Sequence, residues 1–176
     1  DEGGFVILTW DAPRTDHLSG EILEYSVWRA LETSVALSML ENGAELVSSP
    51  AMLETARTEM GKDILRLAPQ QGPAFYWESI SSQAAYHLQG YAMTVPTLFD
   101  STAISGDYHY FQVIAHTSDP MDFYVSYPDS GHSVDNLAPG APTTLSATYQ
   151  SDSVALDWDD APETDFQFYR VYRDTD

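Results

Sequence analysis

A strand–loop–strand unit written twice limits what this chain can become more than any other feature. Near the N-terminus, Val6-Ile7-Leu8-Thr9-Trp10-Asp11-Ala12-Pro13 is followed, after a polar loop, by Tyr25-Ser26-Val27-Trp28-Arg29. Near the C-terminus, Ser153–Trp158 is followed, after a brief acidic loop, by Tyr169-Arg170-Val171-Tyr172-Arg173. In the first copy Val6, Leu8 and Trp10 fall on one side and Phe5, Ile7 and Thr9 on the other, the period-two pattern of a strand with one core-facing side. Pro13 stops it, because proline lacks an N–H and holds its predecessor extended. The expectation is a β module present twice.

Between the two copies the pattern changes. Ile22–Leu31 reads as a strand with Tyr25, Val27 and Arg29 on one face and Ser26 and Trp28 on the other. Residues 31–74 read as an insertion built from two short helices over one end or edge of the β domain. Ser34–Glu41 has helical spacing in Val35, Leu37, Met39 and Leu40, and Asn42-Gly43 is its stop. Ser48-Ser49-Pro50 opens the second helix, whose stripe is Met52, Leu53, Ala56 and Met60. Ile64–Leu67 reads as a short strand or a helix end. Strands return at Phe75–Ile80, Tyr91–Leu98 and Tyr108–His116, the last with His109, Phe111, Val113 and Ala115 on one face. Asp122–Tyr127 and Gly131–Val134 read as short edge pieces. Asn136–Pro142 is a compact proline-bearing linker, stiff enough to set an angle between domains. Beyond it come Thr143–Tyr149, Ser153–Trp158 and Phe166–Arg173, room for about three strands where a sandwich of this kind needs roughly seven.

Charge narrows the environment. The 176 residues carry a net charge of −20, and no Lys or Arg occurs between Leu67 and Phe168. Such a surface repels nucleic-acid phosphates and anionic membranes and draws cations, Ca²⁺ above all. The chain has no Cys, which removes disulfides, thiol catalysis and cysteine-based zinc sites. Acidity, low Lys content and richness in Ser, Thr, Asp and Tyr point to an exported bacterial protein. No apolar run approaches the ~20 residues that span a bilayer.

Five acidic residues crowd the second loop: Asp157, Asp159, Asp160, Glu163 and Asp165. Ca²⁺ takes six to eight oxygens, and a turn can converge carboxylates on it. The plainer reading is a set of solvated turn caps, and the spacing does not match a helix–loop–helix calcium site. Asp119, Asp122, Asp129 and Asp135 form a looser set that could stiffen the joint by the linker, or simply cap turns. His87, His109, His116 and His132 lie in the same half of the first module. His109 and His116 are seven apart on one strand, so they point to opposite faces and are not co-ligands of zinc. No Gly-x-Ser-x-Gly elbow, phosphate loop or dinucleotide fingerprint is present. Tyr76, Trp77, Tyr86, Tyr91, Tyr108, Tyr110, Phe123, Tyr124 and Tyr127 are too many to be all core. An exposed row of them would suit sugar stacking or protein docking, unless the helical insertion covers it.

The repeated pair carries a resemblance. Leu156-Asp157-Trp158, Ala161-Pro162 and Tyr169–Arg173 resemble the B-to-C strand signature of fibronectin type III domains, as do Leu8–Pro13 and Tyr25–Arg29. Phe111–Ala115 resembles the F strand, Ser126–Val134 the run into G, and Thr143–Ala147 the start of the first strand. Segments like Tyr91–Ser101 and Pro128–Pro139 resemble those of tandem modules in bacterial secreted proteins. His109 stands where many such domains have a Tyr bonding the backbone at the E–F corner, a role then open to Tyr108, to Tyr110 or to no residue. The first module starts at what looks like strand B.

The resemblance implies an all-β, immunoglobulin-like (fibronectin type III) β-sandwich over 1–137 with a partly helical insertion at about 31–74. Residues 138–176 would be the N-terminal part of a second, incomplete module. The implied role is a non-catalytic extracellular or cell-surface spacer in a larger polypeptide, its partners being neighbouring domains or other subunits. The alternative is an accessory module binding carbohydrate or protein through exposed aromatics. Neither nucleic acid nor membrane insertion is expected, and Ca²⁺ is the one candidate cofactor.

Overall fold

A computed structural model describes residues 3–49, 52, 63–68, 75–101, 106–135, 140–161 and 168–173. The chain is mostly β and divides by its contacts into two units, Asp1–Asp135 and Asn136–Asp176.

The first unit runs β1 (Phe5–Asp11), a helical turn α1 (Arg14–His17), β2 (Ile22–Leu31), α2 (Thr33–Glu41), β3 (Glu45–Val47) and β4 (Ile64–Ala68). It continues with β5 (Phe75–Ala84), β6 (Gly90–Pro96), β7 (His109–Thr117), β8 (Phe123–Val125) and β9 (Asp129–Gly131). β1 and β6 form an antiparallel pair from Phe5↔Pro96 to Asp11↔Gly90. The remaining strands form one mixed sheet in the order β3-β4-β5-β2-β7-β8, with β9 also on β7. β3 and β4 are parallel, and the other pairs are antiparallel.

Alternation in β1 does what the sequence predicts: Val6, Leu8 and Trp10 are half-buried while Phe5, Ile7, Thr9 and Asp11 are exposed. The inward side chains meet Val95 of β6, Val27 of β2 and Phe111 of β7, so the two sheets face each other across this cluster. β2 is buried on both faces, which the sequence does not announce. Tyr25 and Val27 face the β1–β6 pair, while Trp28 joins Val47, Ile64, Trp77 and Ile114 in a separate core. Burying each such large side chain contributes about 1.5–3 kcal/mol.

The region read as a helical insertion also adds sheet. α2 is present and ends in Asn42-Gly43, where Gly43 has φ +100° and donates to the Leu40 carbonyl while Ala44 donates to Met39. Its Ala36 packs with Leu31 and Leu65. Against expectation, Glu45–Val47 is a strand and extends the sheet with β4. Three residues are too few to display a period, and a neighbouring strand stabilises them instead. The second predicted helix, from Ser48 to Gly61, lies outside the described residues apart from its first positions and Met52. The predicted polar loop at 14–21 contains α1.

The second unit contains a hairpin, β10 (Ser146–Gln150) and β11 (Ser153–Asp157), turned through Ser151 at φ 53°. Its register sets Ala147 opposite Leu156 and Tyr149 opposite Val154 on one face, with Ser146, Thr148, Gln150 and Ser153 on the other. Every residue of both strands is exposed. Phe166–Arg173, read from sequence as a strand, is described over 168–173, where the backbone is not in a strand and the Tyr169 hydroxyl accepts the Ala161 N–H and donates to the Asp159 carbonyl.

Candidate functional site

Chain geometry gathers polar side chains at the two ends of the first unit. At the Trp10 end Pro13 breaks β1, and the Asp16 N–H donates to the Pro13 carbonyl at 3.0 Å as α1 forms. That turn aims Asp16 inward, where its side chain is fully buried. Tyr25 from β2 and Tyr91 from β6 both donate their hydroxyls to Asp16 Oδ2, each at 2.6 Å, and His87 Nδ1 lies 3.1 Å from Oδ1. Tyr91 Oη also accepts the backbone N–H of Tyr86 at 2.9 Å and of Leu88 at 3.3 Å. The rings close around the carboxylate: Trp10 stacks on Tyr91 at 5.7 Å and tilts against Tyr25 at 5.5 Å. His87 reaches Asp16 from a left-handed backbone, φ 58°, and lies over Gly20, where a Cβ would sit 3.3 Å from the imidazole.

Burial pushes the Asp16 carboxyl upward, but the hydrogen bonds from Tyr25, Tyr91 and His87 outweigh it and hold the group below the usual carboxylate range. The same burial, with the Asp16 charge beside it, raises the Tyr25 phenol. A carboxylate that accepts three donors inside a shell of rings joins α1, β2 and β6; it offers no open face to a substrate.

The opposite end is tied by a different set. Arg29 of β2 donates to the Pro96 carbonyl at 2.9 Å and to Glu78 Oε2 at 2.6 Å. His109 of β7, buried beneath Phe99, accepts the Leu98 N–H at Nε2, 3.0 Å away. Gly4 donates to Asp100 Oδ1 at 2.7 Å. Gly3 and Gly4 have φ +66° and +73°, and a Cβ on Gly3 would overlap the Asp100 carboxylate, so only glycine lets the backbone wrap it. The Gly4 amide, together with the Ser133 hydroxyl, holds the Asp100 carboxyl below the usual range. Ser133 also lies 2.6 Å from Thr97 Oγ1, and its carbonyl accepts from Ser101 N–H at 2.8 Å. The two sequence segments around Tyr91–Ser101 and Pro128–Pro139 are therefore bonded to each other here.

Ser133, His109 and Asp100 are the residue types of a hydrolytic relay, but the bonds run otherwise. His109 Nε2 is occupied by the Leu98 amide, its buried Nδ1 has no partner, and Asp100 is engaged by Gly4 and Ser133. A relay needs imidazole between hydroxyl and carboxylate with a nitrogen turned to each. His109 makes a backbone bond here by accepting the Leu98 N–H, while Tyr108 and Tyr110 are exposed.

A third polar group lies in the Trp28 core. Arg66 of β4 is buried with its guanidinium 5.3 Å from the Trp28 ring centre and 5.9 Å from Trp77, donating to Gln112 Oε1. Burial lowers its pKa to about 10. Gln112 passes the connection on to the Ser126 carbonyl at 2.9 Å.

The acidic residues singled out from sequence are described only in part. Of the five proposed around calcium, Glu163 and Asp165 lie outside the described residues. Asp157 ends β11 and Asp159 and Asp160 follow it in exposed backbone. Asp159 is engaged through its main chain, its N–H to Thr144 Oγ1 at 3.0 Å and its carbonyl to Tyr169 Oη at 3.3 Å. Asp119 caps Met121 N–H at 2.9 Å and Asp129 caps Ser130 N–H at 2.7 Å. Among the described residues no three His, Asp or Glu are placed to share a metal ion. The histidines are dispersed too: His116 bonds Ser26, His132 meets the Tyr108 ring edge-on, and His87 joins Asp16.

Of the nine aromatics, Trp77 and Tyr91 are buried, and Tyr86, Tyr108, Tyr110, Tyr124 and Tyr127 are exposed. They do not form one row. Tyr86 and Tyr108 sit at opposite ends of the unit, and on the β7–β8 side Tyr124, opposite Ala115, and Tyr110 lie on opposite faces of the sheet. Sequence reasoning missed Asp16, Arg66, Asp100 and Ser133. For Asp16 a signal existed: two tyrosines at inward positions each require an acceptor. Comparison with protein-family models, with curated proteins and with solved structures yields no match.

Proposed function

We propose that the chain is a non-catalytic structural segment of a larger extracellular bacterial protein, made of two fibronectin type III-like modules that space or display neighbouring domains. The carrying observation is an internal one. Trp10 lies 5.5 Å from Tyr25 in the first unit, and Trp158 lies 5.3 Å from Tyr169 in the second, at matching places in the repeated motif. The strand arrangement agrees with it: β1–β6 against β5–β2–β7 with β8 and β9 reads as B–E against C′–C–F–G, with α2, β3 and β4 inserted between C and C′. Polar groups that could do chemistry are instead engaged in holding elements together, as Asp16, Asp100 and His109 are. Among the described residues no helix is long and apolar enough to cross a membrane, and the charge of −20 disfavours nucleic acid.

The competing reading, a carbohydrate- or protein-binding accessory module, rests on the exposure of Tyr110, Tyr124 and Tyr127. Glycan arrays probed with the 176-residue protein and with the Tyr110→Ala/Tyr124→Ala/Tyr127→Ala variant separate the two. A spacer gives no signal above background with either; a wild-type signal abolished in the variant overturns the spacer reading.

A further inference from the structure

The two sheets of the first unit are joined at one end by a pair of side chain-to-backbone bonds of opposite polarity. Arg29, from β2, donates to the Pro96 carbonyl; His109, from β7, accepts the Leu98 N–H. The first uses a group that keeps its charge at any physiological pH. The second uses an imidazole lone pair, which a proton removes. We propose that His109 is a proton-operated clasp, closed when its Nε2 accepts the Leu98 amide and open when Nε2 carries a proton.

Three features of the site support this. With Nε2 accepting, the ring proton is on Nδ1, which is buried and bonds nothing. The neutral ring is therefore held by one bond, and protonation turns that bond into two donors facing each other. Next, the charged groups facing His109 are Arg29 on β2 and Asp100 and Asp107 in the β6–β7 connection, with Glu78 of β5 already paired to Arg29. Burial, and Arg29 after it, oppose protonation more than the two carboxylates favour it, so the His109 pKa is lowered. The sign follows: the closed clasp is fully stable above the ordinary histidine value of about 6.5 and loses stability as pH falls through the lower folded value. Finally, the connection that opens also holds Gly4 through Asp100 and Ser133 through Thr97 and Ser101. Release would loosen the residues flanking both β1 and β9, whatever the unit's job.

Amide exchange on the 176-residue protein tests it. Between about pH 7.5 and about pH 5 the protection factor of Leu98 N–H should fall about tenfold or more, with Val27 N–H in the sheet interior unchanged. In His109→Gln, whose side-chain oxygen accepts without titrating, Leu98 protection should not depend on pH. A wild-type protection factor that stays constant, or an equal fall in His109→Gln, overturns the proposal. Should that variant fail to fold, ¹⁵N shifts of the wild-type imidazole decide. Nε2 must lose its acceptor signature with the same midpoint at which the Leu98 amide resonance moves, and distinct midpoints refute the clasp.

Discussion

Val6-x-Leu8-x-Trp10-Asp11 and Val154-x-Leu156-x-Trp158-Asp159 are the same six-residue pattern in surroundings that differ sharply. In the first unit it lies against β2, β6 and β7, and Val27, Val95 and Phe111 close over it. In the second, Val154 and Leu156 line the apolar face of a hairpin whose residues are all exposed. The pattern thus specifies a face, not a core. Burial requires a second sheet, and an isolated two-stranded hairpin is marginal in water. What persists in both units is the local part, the indole against the tyrosine that begins the following Tyr-x-Val segment.

The strongest way to break this comparison is to remove the buried carboxylate that, among the described residues, the first unit has and the second does not. Asp16→Ala leaves the Tyr25 and Tyr91 hydroxyls buried without their acceptor, and it should destabilise the first unit by about 3–5 kcal/mol in urea unfolding. Asp159→Ala, whose main chain makes the contacts, should stay within about 0.5 kcal/mol. Acid carries the same signature. Because the folded Asp16 pKa is depressed, its contribution is complete above the unfolded value of about 3.9 and is lost as pH falls through the folded one. An acid limb below about pH 4 should therefore flatten in Asp16→Ala; an unchanged limb would assign it to other carboxylates.

A gentler probe uses one residue type at matching positions. Val27 is fully buried, whereas its counterpart Val171 is 61% exposed. Val27→Ala should cost about 2 kcal/mol through lost burial and a residual cavity, and Val171→Ala under about 0.5 kcal/mol. Equal costs would mean that the second Tyr-x-Val segment is covered in solution, and the contrast between the units would fail.

Strand legibility divides along the same physical line. β1 and β6 could be read because each alternates over seven residues, and β2 and β7 because each is a run of nine or ten residues rich in apolar and aromatic side chains. β3 could not, since Glu45–Val47 shows no period and exists through its pairing with β4. The second burial face of β2 was hidden because Ser26 looks solvent-directed. In the fold it accepts from Trp28 Nε1 at 2.8 Å and meets His116 at 2.7 Å, so the serine is satisfied while buried. Asp16 was hidden for a similar reason: in a run of polar residues, nothing local separates a carboxylate aimed at water from one aimed at two phenols. Long-range hydrogen bonds, spanning 75 residues for Tyr91 and Asp16, leave no mark on neighbouring sequence.

The smallest effect expected concerns calcium at the second unit's acidic loop. Asp157 belongs to the hairpin's polar face, opposite Ser146, whereas Asp159 is oriented by Thr144 and Tyr169 through its main chain. Ca²⁺ takes six to eight converging oxygens, and among the described residues no three His, Asp or Glu are placed to share an ion. Melting followed in millimolar Ca²⁺ and in chelator should give midpoints within about 1 °C of each other, since a ligand stabilises only in proportion to its occupancy of the folded state. A larger upward shift that disappears in Asp159→Asn/Asp160→Asn would instead make this loop a cation site. The second unit would then hold its turn by a bound ion where the first uses Asp16.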